Sequence, residues 1–142
     1  MTQSAIRSLE PYARSLLRVI VGFTFSLHGM QKLFGLFARL GGGGASVHFF
    51  SLFWVAGCLE TFGGLLILLG LFTSPVAFIL CGEMAVAYFM AHFPRGFFPI
   101  RNGGELAVLY CFTFLYLSVA GAGPVSLDRL FAKKTSAGTP GS

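Results

Sequence analysis

The sequence predicts an all-α integral membrane protein, a four-helix bundle with a short interfacial N-terminal segment. Three observations carry that expectation. Hydrophobic residues make up 55% of the 142 positions and charged residues 11%, with a mean hydropathy of +0.78, far too apolar for a soluble domain of this length. The apolar runs are broken only by single polar residues, whereas a soluble core would show amphipathic stripes and a charged surface. Four such runs are present, each near the ~20 residues that cross a ~30 Å hydrocarbon core at ~1.5 Å per residue.

The expected spans run over about 15–36, 47–71, 75–93 and 104–122, all within one domain covering 1–132. Spanning helices are the open-chain solution in hydrocarbon, because every backbone N–H and C=O must be paired within the segment. Ahead of the first span, Glu10-Pro11 marks a short interfacial helix, since Pro suits a first helical turn and Tyr12 suits the headgroup layer. Gly41 to Gly44 form a flexible connector, Thr73-Ser74-Pro75 a tight joint, and Pro94 and Pro99 flank the third connection. Residues 133–142 are Lys, Thr, Ser, Ala, Gly and Pro, a composition that predicts a disordered tail. No small-residue cleavage site follows the first run, so a cleaved signal peptide is not expected.

The net charge of +5 does not form a basic stripe, which excludes a nucleic-acid surface. Its cations are scattered at segment ends, where they serve as snorkelling anchors and topology signals. An even number of spans puts Arg7, Arg14, Arg18, Arg129, Lys133 and Lys134 on one side, against Lys32, Arg39, Arg95 and Arg101 on the other. The larger group predicts cytoplasmic termini. Cys58, Cys81 and Cys111 lie in separate apolar runs with no CxxC pair; they read as small buried apolar residues, and a dithiol mechanism is not expected. Gly22 and Gly29 in the first span, and Gly57, Gly63, Gly64 and Gly70 in the second, allow close helix approach.

Against this background the ionisable residues inside the runs stand out. His28 and Lys32 are four apart and share a helix face, about 20 and 25 Å in from Ser15. Glu60 on the descending second span and Glu83 on the rising third reach a similar level near the middle. His92 and Glu105 fall near the outer ends of the third and fourth spans, beside Arg95, Arg101 and Asn102. The expected picture is a polar funnel, open outward and closing on the two acids. His92 is nine residues from Glu83, which on a regular helix puts it on roughly the opposite face. An ionised group at mid-bilayer costs at least ~2.5 to 3.5 kcal/mol, so these side chains should turn inward and pair or be neutral.

Two acids, two histidines and a lysine exceed what helix register alone needs, and intramembrane ionisable residues are functional by default. There is no Glu-x-x-His or HExxH spacing, which leaves a metal site unsupported though open, and axial haem ligation by His28 and His92 is also open. A quinone or similar lipid-soluble molecule fits better. Apolar walls would hold its ring, with His28, Lys32, His92, Arg101 and Asn102 as ligand-binding residues and Glu60, Glu83 and Glu105 handling protons. Two other classes stay in view: a non-catalytic membrane assembly, chaperone or cargo-binding protein, and a small transporter acting as a homo-oligomer. No flavin, iron-sulfur or nicotinamide fingerprint is present, so electron transfer would need a redox partner protein.

Four stretches carry a resemblance: LLRVIVGFTFSLHGMQKLFG from Leu16, ETFGGLLILLGLFTSPVA from Glu60, MAVAYFMAHFPRGFFP from Met84, and NGGELAVLYCFTFLYLSVAGAGPVSLD from Asn102. In order and spacing the chain, from about Arg14 to Asp128, resembles the DoxX family of small bacterial membrane proteins. The resemblance implies a four-helix bundle in the bacterial inner membrane. For some members it implies a part in sulfur-linked electron transfer to quinone or in oxidoreductase complexes that counter oxidative stress. His28 and Lys32, Glu60, His92 and Glu105 fall in the matching motifs.

Overall fold

The structure is a computed structural model that describes residues 2–36 and 49–137. Arg39, the Gly41 to Gly44 connector, and the first residues of the expected second span lie outside the described residues. All regular structure among the described residues is helical. In chain order the helices are α1 Gln3–Phe34, α2 Leu52–Leu69 and α3 Thr73–Arg95, the short α4 Pro99–Asn102, α5 Glu105–Ala120 and α6 Leu127–Ala137. Helices α2 and α3 are long and apolar enough to cross a membrane, and α5 is apolar but shorter at 16 residues.

Helix α1 differs from expectation at its start. Pro11 lies inside one continuous helix that begins at Gln3, so it does not mark the entry of a separate interfacial helix. A Pro in a helix interior removes a backbone bond and costs about 3 kcal/mol; the surrounding stretch is open, with Ile6, Leu9 and Tyr12 all more than half exposed. The expected tail begins at Lys133, yet α6 continues to Ala137.

Helix α1 packs lengthwise on α2, and α3 packs lengthwise on α5. The first pairing depends on glycine. A side chain at Gly64 would sit 2.7 Å from the Ser26 nitrogen, and one at Gly22 would meet the backbone of Leu68 and Gly64. The two helix backbones therefore touch where the small residues coincide. Phe25 of α1 joins the pairs, with its ring centroid 4.9 Å from Tyr110 and 4.8 Å from Phe114 on α5. Around it lie the fully buried Ile67, Ala77, Leu80, Phe114 and Leu117.

The usual distribution of polarity is inverted. Phe23, Phe62, Phe78, Phe89, Leu109, Phe112 and Val119 are all exposed, while Arg18, Glu60, Thr73 and Asn102 are buried. A large apolar exterior around buried polar groups fits a lipid surround and is unfavourable in water.

Arg18 is a correction to the sequence reading. It is no anchor at a segment end: it is 1% exposed. Its Nη1 donates to the Ile67 and Leu68 carbonyls at 2.5 Å each, Nε to Ala122 at 3.0 Å, and Nη2 to Val125 at 2.6 Å. The first two belong to the last turn of α2, whose final carbonyls have no partner within the helix. Asp128 completes the joint from the other side. Its carboxylate accepts from the Phe72 and Thr73 N–H groups at 2.7 and 2.9 Å, capping α3, and its own N–H donates to the Gly70 carbonyl at 2.8 Å. Gly70 makes the turn with a φ of +68°, where any side chain would also strike Arg18 and Ser126.

Replacing Arg18 by Met would strip this donor from the Leu68, Ala122 and Val125 carbonyls, at about 1 to 3 kcal/mol for each group left unsatisfied, whereas the Ile67 carbonyl keeps the Gly70 N–H at 3.0 Å. Arg18→Met is expected to lower the melting temperature of the detergent-solubilised protein sharply, with Arg18→Lys intermediate, because an ammonium cannot span four carbonyls on two segments. Equal melting of all three proteins in a circular dichroism scan would refute this role.

Candidate functional site

Helices α1, α2, α3 and α5 enclose a cavity of about 160 Å³ on the side away from Arg18. Its polar lining is His28, Lys32, Glu60, His92 and Tyr110, and its apolar lining includes Phe25, Met84, Ala87, Leu106 and Ala107. Helical spacing supplies His28 and Lys32 from one face of α1.

Glu60 is 3% exposed, and its Oε1 accepts a hydrogen bond from Lys32 Nζ at 2.5 Å. The other oxygen, Oε2, is buried with no hydrogen-bond partner among the described residues, and so are both carboxyl oxygens of Glu83. Glu83 does not line the cavity, but it lies close enough to Glu60 and Lys32 for both charges to act on it. The Lys32 ammonium thus bonds one carboxylate oxygen, and three buried acceptor oxygens are left over. Buried polar atoms without partners are uncommon and call for an explanation such as a proton, an ion or a ligand.

Both Glu60 and His92 sit on π turns, Leu59–Gly63 in α2 and Tyr88–His92 in α3. A π turn is an α-helix with one residue inserted, and such bulges cluster at functional sites. The insertion corrects the expectation that His92 points away from Glu83. Nine regular residues give ~180° of rotation, but one inserted residue takes back ~100° and leaves ~80°. His92 consequently turns into the cavity beside Glu60. Its Nδ1 lies 3.3 Å from the Asn102 carbonyl oxygen; a carbonyl can only accept, so Nδ1 carries the proton and Nε2 is left as an acceptor in the neutral ring. The imidazole also stacks on Tyr88, with centroids 6.4 Å apart.

His28 is exposed, with its ring edge-on to Tyr110 at 6.0 Å. The cavity therefore has a polar group at its side, between α1 and α5. Tyr110 is held by donating to Thr24 Oγ1 at 3.0 Å.

Three expected site residues stand elsewhere. Asn102 is buried and organises the loop before α5: its amide donates to the Gly96 carbonyl at 2.7 Å and its Oδ1 accepts from the Gly104 N–H at 2.8 Å. Arg101 and Glu105 are exposed, Glu105 as the first residue of α5. Sequence reasoning missed Tyr110, Met84 and Phe25, because an aromatic or Met inside an apolar run carries no spacing signal. Among the described residues no three His, Cys, Asp or Glu side chains converge to hold a metal ion.

The ion pair between buried Glu60 and partly exposed Lys32 gives a test. Breaking one side leaves an uncompensated buried charge, whereas removing both is far milder. Lys32→Met and Glu60→Gln are each expected to melt lower than the parent. The double variant should recover part of the loss, with a coupling above about 1 kcal/mol. Additive losses would show that the pair contributes nothing beyond its separate residues.

A family model described as DoxX matches residues 13–93. The chain is also 46% identical over 132 residues to an uncharacterized protein of Haemophilus influenzae, a match covering 91% of this chain and 98% of that protein. No solved structure matches it. The family match takes in α2 and most of α1 and α3, with His28, Lys32, Glu60, Glu83 and His92 among the matched positions, and the chain belongs to the DoxX family of membrane proteins.

Proposed function

We propose that this protein is a four-span bundle of the bacterial inner membrane, with both termini cytoplasmic, that binds a quinone or similar lipid-soluble molecule as part of an oxidoreductase system. The observation that carries the reading is the cavity itself. Hydrogen-bonding groups from α1, α2 and α3 converge there against Phe25, Met84 and Leu106. At about 160 Å³ it is smaller than the ~300 to 1,000 Å³ of sites for drug-sized ligands. That size suits a single ring whose apolar tail stays among lipid. Exposed His28 at the gap between α1 and α5 supplies a polar group at the point where such a ring would enter sideways.

The donor set fits a carbonyl-bearing ring. Lys32 Nζ presents N–H donors and an imidazole can donate or accept. When bound, a quinone would supply two-electron chemistry, and this chain's own residues would orient it and manage protons. His28 and Lys32 hold the ring oxygens, and His92 offers Nε2. Glu60 and Glu83 hold or release protons at the oxygens now without partners, and Glu105, exposed at the outer rim, exchanges them with water. Electrons must come from or go to a redox partner protein, since the chain has no nucleotide or cluster motif of its own.

The single tryptophan, Trp54, provides a reporter. Titrating the purified protein in nanodiscs with decylubiquinone should quench its emission saturably, and His28→Ala and Lys32→Ala should each weaken binding by about tenfold or more, ~1.4 kcal/mol. Far-ultraviolet circular dichroism should show both variants still helical. Unchanged affinity in both folded variants would rule the reading out.

A further inference from the structure

Cys81 on α3 and Cys111 on α5 lie in separate apolar runs, but the packing of these helices brings their Sγ atoms to 3.7 Å. Both thiols are free and partly buried, and both pack against the core around Phe25, Leu80, Met84 and Phe114. Cys81 is three residues before the cavity-lining Met84, ~4.5 Å along the helix axis, and Cys111 follows the cavity-lining Tyr110. The pair therefore sits within about one turn of the cavity, with both cysteines still partly exposed. Closing a bond of ~2.0 Å needs the sulfurs to approach by only ~1.7 Å.

We infer that Cys81 and Cys111 form a two-electron dithiol/disulfide centre that exchanges electrons with a quinone-class acceptor in the bilayer. The inference rests on the proposed function for the identity of that acceptor, and on the sulfur geometry alone for the pair. In the forward direction the two S–H bonds break and one S–S bond forms. The thiols together give up two protons and two electrons, and the quinone takes up both to become the hydroquinone. The reverse step restores the thiols. Oxidation would tie α3 to α5 across their interface beside the cavity.

The test uses the full chain in nanodiscs with Cys58→Ser, which removes the third thiol. After reduction and removal of reductant, one sample receives decylubiquinone and another diamide, a thiol-specific oxidant. Free thiols are then counted by maleimide alkylation and intact mass, and hydroquinone by absorbance. The expected result is loss of both alkylation sites with either oxidant, with one hydroquinone formed per disulfide. Cys81→Ser and Cys111→Ser should each keep one labelled thiol. Two free thiols after both oxidants would overturn the pair itself. Closure with diamide alone would overturn the electron exchange. In that case, continued saturable quenching of Trp54 by the quinone would leave the binding reading standing, and loss of quenching would mark that reading as the one at fault.

Discussion

The guanidinium of Arg18 ties two separate segments together by their backbone carbonyls, and the rest of the structure is arranged around that fact. Its acceptors come from the end of α2 and from the loop between α5 and α6. In hydrocarbon those carbonyls have no water to turn to, so a charge that would be expensive alone becomes the cheapest available donor. Arg18 also lies near the Asp128 carboxylate, which caps the start of α3. One ionic assembly thereby sets where α2 ends, where α3 begins and where the chain leaves α5. The cavity at the far end inherits its helix spacing from this joint.

The two ends of the molecule use buried charge differently. At the Arg18 end each guanidinium nitrogen of Arg18 has a carbonyl acceptor and both Asp128 oxygens accept from backbone N–H groups, although Thr73 Oγ1 beside them is buried without a partner among the described residues. At the cavity end the same ingredients are left incomplete: Lys32 satisfies one oxygen of Glu60, while Glu60 Oε2 and both oxygens of Glu83 face no partner among the described residues. A network that is complete stabilises a fold, whereas one left open at a cavity is poised for an exchangeable occupant. This contrast separates scaffold from candidate site more clearly than residue type does, since Arg18 and Lys32 are both cations inside the first helix.

Much of this was legible in the sequence because hydrocarbon imposes a strong and simple constraint. Apolar runs located α2, α3 and α5 to within a few residues, though α1 starts at Gln3, well before the expected span, and the cost of intramembrane charge singled out His28, Lys32, Glu60 and Glu83. What remained hidden has specific causes. Arg18 read as an anchor because its partners are backbone carbonyls, which leave no trace in residue identity. Pro11 read as a helix start because that is its commonest place, whereas the helix runs on through it from Gln3. His92 read as turned away because periodicity assumes a regular helix. Cys81 and Cys111 read as unrelated because thirty residues separate them, and only the packing of α3 on α5 shows them side by side.

The π turns have a further consequence for how the family is compared. Each is an extra residue absorbed without breaking its helix, so everything beyond it is rotated by about a quarter turn relative to an uninterrupted helix. Removing one residue within Leu59–Gly63 or Tyr88–His92 would restore regular winding, yet swing the positions beyond it off their present faces. A one-residue gap here between relatives would therefore be a change of site geometry in the guise of a trivial length difference. An alignment that slides the gap to a loop to save a mismatch would pair the wrong side chains.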